Sequence, residues 1–154
     1  MTDIKFYVSN QDGLKQRLSI VYKLIGYALK QHLFIHIHTE NKQMSKKIDD
    51  WLWTHERASF LPHRLITEEI LQPSEKSTEN SEKTIKEAIT ISHQFEPFER
   101  CDYLINLSTE TPSYFSRFTK FAEILDSSDE VLSAGRKRYV FYRDRGYTLA
   151  YHKL

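Results

Sequence analysis

Cysteine is almost absent: Cys101 is the only one in 154 residues, so no disulfide can form within the chain and no thiol cluster is available to zinc. That usage fits a reducing compartment, with Cys101 read as a small core or near-core residue. Glycine is nearly as scarce, at four. A dinucleotide fingerprint needs the spacing GxGxxG and a P-loop needs GxxxxGK[ST], because only closely spaced glycines let backbone amides close on a phosphate. The turn after the first apolar segment, Ser9-Asn10-Gln11-Asp12-Gly13-Leu14-Lys15, offers Gly13 alone. Both backbone cradles are therefore excluded. Long apolar runs are missing too. No stretch approaches the roughly 18 to 20 residues that span a bilayer, and Met1-Thr2-Asp3-Ile4-Lys5-Phe6 lacks a basic region followed by an apolar core. The expectation is a soluble, cytoplasmic protein without membrane contact. Nor does either sign of charge dominate, since Lys+Arg 22 stand against Asp+Glu 21 for a formal net charge of +1. Affinity for anions has to be local.

What is present alternates between two periods. Ile4-Lys5-Phe6-Tyr7-Val8 is β-branched and aromatic and reads as a strand ending at a polar turn. Leu14, Leu18, Val21, Ile25 and Leu29 then recur at helical spacing, with Asp12 placed to cap or to serve as a first-turn anion. A second strand follows at Leu33-Phe34-Ile35-His36-Ile37-His38, and a second helix opens at Thr39 or Asn41 with Met44, Ile48, Trp51 and Leu52 on its apolar side. Residues 54–65 read as irregular because of the Phe60-Leu61-Pro62-His63 stretch. Residues 73–86 are Ser, Thr, Glu, Lys and Asn with little apolar content, a polar insertion read as a mobile surface loop. Ala88 to Ser92 and Tyr103 to Leu107 supply two further strands, the second apolar enough to be central. Thr111-Pro112-Ser113 reads as a helix start, with Tyr114, Phe115, Phe118, Phe121, Ala122 and Leu125 as its buried stripe. Ser128 then caps a last helix. The pattern predicts one domain over 1–154: an α/β, three-layer, Rossmann-like fold with a mostly parallel central sheet flanked by helices.

Catalytic chemistry is not recognisable. His36 and His38 alternate on one strand, as two metal ligands would, but no third ligand has a known spacing to them, and a half-exposed strand face is the simpler reading. Asp49-Asp50 and Glu96/Glu99 are ordinary surface carboxylates, and no Ser/His/Asp or Cys/His arrangement has a motif context. No catalytic, cofactor or metal site is expected, and an enzyme is the weaker hypothesis.

The distinctive segment is Arg136-Lys137-Arg138-Tyr139-Val140-Phe141-Tyr142-Arg143-Asp144-Arg145-Gly146-Tyr147. On a helix, Leu132, Arg136, Tyr139 and Arg143 share one face with Val140 beside them, so tyrosine and aliphatic groups sit among guanidinium groups. Such a face suits a ligand both anionic and apolar, and it suits equally a solvated basic helix with snorkelling tyrosines. Gly146 is placed to end the helix in the left-handed conformation, setting Tyr147 beside the last turn. Trp53 with Phe60, Leu61, Pro62 and His63 forms a second candidate, either a core cap or an interaction patch. Arg57 and Arg64 carry little weight.

The segments Ile48-Asp49-Asp50-Trp51-Leu52-Trp53, Ser59-Phe60-Leu61-Pro62-His63-Arg64-Leu65 and Arg136-x-Arg138-Tyr139-x-x-Tyr142-Arg143-x-x-Gly146-Tyr147, with Phe6-Tyr7 in the first strand, resemble the chi subunit family of bacterial DNA polymerase III holoenzyme. The resemblance implies a Rossmann-like fold without catalysis or nucleotide binding; the polymerase activity belongs to the holoenzyme. It implies an adaptor in the clamp-loader complex that binds the acidic C-terminal tail of single-stranded DNA-binding protein and docks to the psi subunit, meeting nucleic acid only indirectly. By position it assigns Arg136, Tyr139, Gly146 and Tyr147 to the tail site, lined by Leu125, Leu132 and Val140, with Arg143 on the same face. Trp53, Phe60, Leu61, Pro62 and His63 fall to the psi interface. Lysines of well-known members stand here as Leu132 and Val140. The alternative is direct binding of single-stranded nucleic acid by the basic-aromatic helix, arginines on phosphates and tyrosines stacked on bases.

Overall fold

The computed structural model describes residues 2–54, 63–65, 89–93 and 101–154, with backbone alone at 53–54 and 63–65. Its elements are β1 (Asp3–Val8), α1 (Leu14–Lys30), β2 (Ile35–His38), α2 (Lys42–Thr54), β3 (His63–Leu65), β4 (Ile89–Ser92), β5 (Tyr103–Asn106), a 3-10 turn (Phe115–Arg117), β6 (Lys120–Leu125), α3 (Asp129–Asp144) and β7 (Thr148–Lys153). The seven strands form one sheet in the order β3-β4-β2-β5-β6-β1-β7. Every pairing in it is parallel. The expected mostly parallel α/β sheet is thus parallel throughout, and helices lie on both faces, as parallel crossovers require.

Two cores sandwich the sheet. On one face α1 and α2 bury Val21, Leu24, Ile25, Ile48 and Leu52 against Ile35, Ile37, Ile89, Ile91, Ile105, Ala122 and Ile124. On the other, α3 and the 3-10 turn bury Tyr142, Phe115 and Phe118 against Ile4, Phe6, Val8, Leu104, Phe121 and Leu125. β5 is buried at all four positions, as expected of a central strand.

Several expectations are corrected. The stripe at 114–125 is no helix: only Phe115–Arg117 makes a single 3-10 turn, and Phe121, Ala122 and Leu125 belong to β6. A strand buried on both faces carries a near-continuous apolar run, whose spacing also satisfies a helix; filling the gap between β5 and β1 decides it. His63–Leu65 is strand, pairing with β4, within the segment read as irregular. β7 escaped the sequence reading because an edge strand exposed on both sides has no apolar alternation to show; its burial runs from exposed to half-buried only. Asp12 does not cap α1 either. It accepts a hydrogen bond from Ser127 Oγ, while Gly13 holds the N-cap position without a side-chain bond. At α2, Asn41 Oδ1 accepts from Met44 N at 2.9 Å and caps the helix. The 73–86 insertion lies outside the described residues.

α3 is seated by a buried polar network. Glu123, in the middle of β6, is fully buried and accepts from Arg138 Nε and Nη2, both at 2.9 Å. Tyr142 Oη donates to the same carboxylate at 2.5 Å and Asn106 Nδ2 at 3.0 Å. Arg138 Nη1 also reaches Thr109 O at 2.7 Å. Burial pushes the Glu123 carboxyl up, and the guanidinium, phenol and amide draw it back.

A second polar cluster closes the crevice between the carboxyl ends of β1 and β6. The chain leaves β1 through α1 on one face and β6 through α3 on the other, and sheets of this kind usually take ligands at such a switch point. Here the space is filled from within. Asp126 Oδ2 accepts from Gly13 N at 3.1 Å, at the start of α1, and lies 3.1 Å from Arg17 Nε. Asp126 Oδ1 accepts from Ser128 N at 2.9 Å and Ser128 Oγ at 2.5 Å. A side-chain carboxylate thus takes the position where a bound anion would sit.

Two outcomes are expected. Glu123→Ala leaves a guanidinium buried without its partner and should cost about 3 to 5 kcal/mol in urea denaturation; a loss below about 1 kcal/mol would show that the network does not seat α3. Burial alone raises the Asp126 pKa, but the Ser128 hydrogen bonds, Arg17 and the Gly13 amide outweigh it and hold the group below its ordinary 3.8. A depressed carboxyl stabilises the fold above its unfolded pKa and loses that contribution as pH falls through the lower folded value. Melting temperature followed from about pH 5 to about pH 2 should therefore fall less steeply in Asp126→Asn than in the parent chain.

Candidate functional site

α3 begins where Asp126 and Ser128 hold the chain, and its first turn carries Asp129 and Glu130 at the positive end of the dipole. Ser128 holds the N-cap position, but its hydroxyl serves Asp126 and not the helix. At the far end Gly146, at φ +87°, terminates the helix: its N–H bonds Arg143 O at 3.0 Å and the Tyr147 N–H bonds Tyr142 O at 3.2 Å. This is the double-bonded left-handed termination that glycine favours.

Because Arg138 and Tyr142 turn inward to Glu123, the flank bearing residues 132, 136, 139 and 140 faces the β7 side of the sheet. A hollow of about 270 Å³ opens there. Leu132, Gly135, Arg136, Tyr139 and Val140 of α3 line it, together with Phe6 of β1, Leu125 of β6 and Tyr151 of β7. Phe6 lies 5.3 Å from Tyr139 and 6.4 Å from Tyr151 between ring centroids, and Tyr139 meets Tyr151 edge-on at 6.5 Å. Three aromatic rings in mutual contact thus form one side of the hollow, with Phe6 buried at its base. Gly135 lets the helix come this close: a Cβ there would stand 2.5 Å from Leu125 Cδ1. Arg136 is exposed at the edge of the hollow and makes no ion pair among the described residues. The chemistry on offer is an aromatic-aliphatic socket with one guanidinium fork at its rim.

Of the residues singled out from sequence, Leu125, Leu132, Arg136, Tyr139 and Val140 come together. Arg143 does not line the hollow; one turn further along α3, it is exposed and 3.3 Å from Asp144. Tyr147 packs at the opposite side, 5.3 Å from Phe115, and Gly146 contributes the helix end. Sequence reasoning missed Phe6, Gly135 and Tyr151 as site residues. Strand alternation puts Phe6 on the α3 face and was legible; the other two depend on helix-sheet distance and on β7. In the second candidate, Trp53 lies in the last turn of α2 and His63 in β3, with only backbone described, whereas Phe60, Leu61 and Pro62 lie outside the described residues.

Of the histidine pair, His38 is half-exposed as expected and His36 is not. His36 is buried, its Nδ1 2.6 Å from Thr90 Oγ1 and its Nε2 3.1 Å from Tyr114 Oη. His38 Nδ1 lies 2.8 Å from the same hydroxyl. Desolvation pushes His36 down to about 3 and His38 to about 4, so both are neutral near pH 7. Among the described residues no group of three His, Cys, Asp or Glu side chains is placed to hold a metal ion. No helix there is long and apolar enough to cross a membrane.

The family model for "DNA polymerase III chi subunit, HolC" matches residues 1–150. DNA polymerase III subunit chi of Pseudomonas aeruginosa is 27% identical over 154 residues, covering 100% of this chain and 98% of that protein. The proteins of the same name from Escherichia coli and Haemophilus influenzae are 24% and 26% identical, over 97% and 95% of this chain and 96% and 93% of their own lengths. Among solved structures, domain 2 of the DEAD-box helicase Mss116p, bound there to an RNA duplex, is similar at TM-score 0.65 and 11% identity. The match covers 99% of this chain and 64% of that one, and at such identity it shows the fold alone. With its family model matched from residue 1 to 150, the chain belongs to the DNA polymerase III chi subunit family, a family of replication accessory subunits.

Proposed function

We propose that this chain is a non-catalytic adaptor of the DNA polymerase III holoenzyme, acting in the cytoplasm at the clamp loader, and that the α3 hollow receives the acidic C-terminal tail of single-stranded DNA-binding protein. The observation that carries this is the exposed Arg136 guanidinium at the rim of a socket walled by Phe6, Tyr139 and Tyr151. A tail ending in an aromatic residue with a free carboxylate presents both halves of the complement: the ring enters the socket and the carboxylate pairs with the fork of Arg136. Leu132 and Val140, where well-known members carry lysines, wall the hollow with aliphatic surface, so the grip moves from charge toward burial. Affinity should therefore depend less on ionic strength than an all-cationic rim would make it. The psi subunit is proposed to dock at the end of α2 and the neighbouring β3 edge through Trp53, Phe60, Leu61, Pro62 and His63, on the strength of the resemblance.

Direct binding of bare single-stranded DNA by α3 has less support. Of its basic residues from 136 to 145, Arg138 is buried on Glu123, Arg143 pairs with Asp144, and Arg145 lies 4.2 Å over the Phe141 ring. Arg136 and Lys137 alone are left to follow a phosphate backbone, too few for the track such proteins use. A mobility shift in which bare DNA binds tightly at physiological salt and is released by Arg136→Ala combined with Lys137→Ala would reverse this preference.

Arg136→Ala should weaken binding of the tail peptide by about 1.5 to 3 kcal/mol, the range for a charge-assisted hydrogen bond. Calorimetric titration giving the parent affinity would remove Arg136 from the site.

A further inference from the structure

On the α1 face of the sheet, away from the α3 socket, a second hollow of about 290 Å³ opens at the amino ends of β5, β6 and β1. Strand order creates it. α1 packs chiefly over β6 and overhangs β1 only in part. The odd residues of β1, Asp3, Lys5 and Tyr7, are accordingly half-exposed while Ile4, Phe6 and Val8 are buried on the other face. Lys5 sits in register between Ala122 and Ala150, and those small neighbours leave space around its stem. Lys120 stands one strand over, opposite Asp3 on one side and Tyr103 on the other. Leu24 and Tyr27 of α1 form the outer wall.

Two ammonium groups therefore share one concavity, and neither makes an ion pair among the described residues. Asp3 is the one carboxylate in the lining. Three phenols complete it. Tyr103 is 4% exposed and lies beside Tyr7, whose ring stacks on His152 at 5.2 Å. Tyr27 meets Tyr103 edge-on at 6.5 Å and is itself 45% exposed, so its ring is open to a partner. Paired lysines beside hydroxyl donors favour a phosphate, and an open tyrosine ring favours a flat heterocycle. An acidic peptide would use the lysines and leave the phenols without a role.

We infer that this hollow is a nucleotide subsite in which Lys5 and Lys120 take a phosphate and Tyr27 gives the base a ring to stack on. The nucleotide comes either free in solution or as one unit of a single strand, and the chemistry recognised is the same. The site lies across the sheet from the α3 socket and does not rest on tail binding.

The test is titration of the full chain, followed by amide chemical shifts, with inorganic phosphate, thymidine monophosphate and a thymidylate hexamer. The nucleotide and the hexamer should give saturable shifts at residues 5, 27 and 120, with phosphate clearly weaker than either. A hexamer much tighter than the mononucleotide identifies a strand as the source, and equal affinities identify the free nucleotide. Lys5→Glu combined with Lys120→Glu should weaken nucleotide binding at least about ten-fold while leaving the tail-peptide affinity at its parent value. Tyr27→Ala, at an exposed position, should weaken the nucleotide about five-fold or more and leave phosphate unchanged; it decides the matter if the double variant does not fold. No saturable shift at these residues, phosphate binding as tightly as the nucleotide, or an acidic peptide displacing the nucleotide from them would overturn the inference.

Discussion

The position of α3, and with it the socket, depends on one buried carboxylate. Glu123 lies in a strand covered on both faces, where an unpaired charge would cost several kcal/mol. The fold answers with a fork from Arg138, the Tyr142 hydroxyl and the Asn106 amide. Arg138 and Tyr142 are four residues apart, so satisfying Glu123 fixes the rotation of the helix about its axis. Arg136, Tyr139 and Val140 are then committed to the β7 flank. The network also reaches the segment after β5, through Arg138 to Thr109 O and Tyr142 to Thr111 Oγ1. Socket and core are consequently not separable: the same two side chains that anchor α3 inward determine which residues it shows outward.

The second polar cluster explains where ligands are not taken. The crevice at the ends of β1 and β6 has the attributes of an anion site, an amide at the start of α1 and an arginine beside it, and Asp126 occupies both. The missing glycine cradle and the internal carboxylate are two sides of one arrangement. With that crevice closed, the two hollows described above lie at the flanks of helices, one on each side of the sheet. Likeness of the backbone to a helicase domain, at 11% identity, shows the fold alone.

How much was legible follows the physics of each element. β1, α1, β2, α2 and β5 were readable because each shows one clear period or a bounded apolar run. β6 was misread as a helix because Phe121, Ala122 and Leu125 fit both periods, although Glu123 in their midst was a sign that a cation had to arrive from elsewhere. Which cation that would be was not legible. Among Arg136, Lys137 and Arg138, helix rotation alone decides that the third turns inward. Five of the socket residues followed from helical spacing or from the family resemblance. Gly135 and Tyr151 did not, since one reports the distance of α3 from Leu125 and the other belongs to an edge strand without a pattern. His36 looked like a surface residue for want of any local sign that Tyr114 would cover it.

The place of β1 in the sheet bears on how the chain comes off the ribosome. β1 is made first, yet it lies between β6 and β7, which are made last, with Asp3 in register with both Lys120 and Thr148. Its main-chain groups have no sheet partner until more than a hundred later residues have been synthesised, and loop closure of that length is slow. The amino-terminal strand must wait, exposed, for the carboxyl-terminal third of the chain. A nascent chain stopped before β6 thus carries an apolar strand with nothing to pair it.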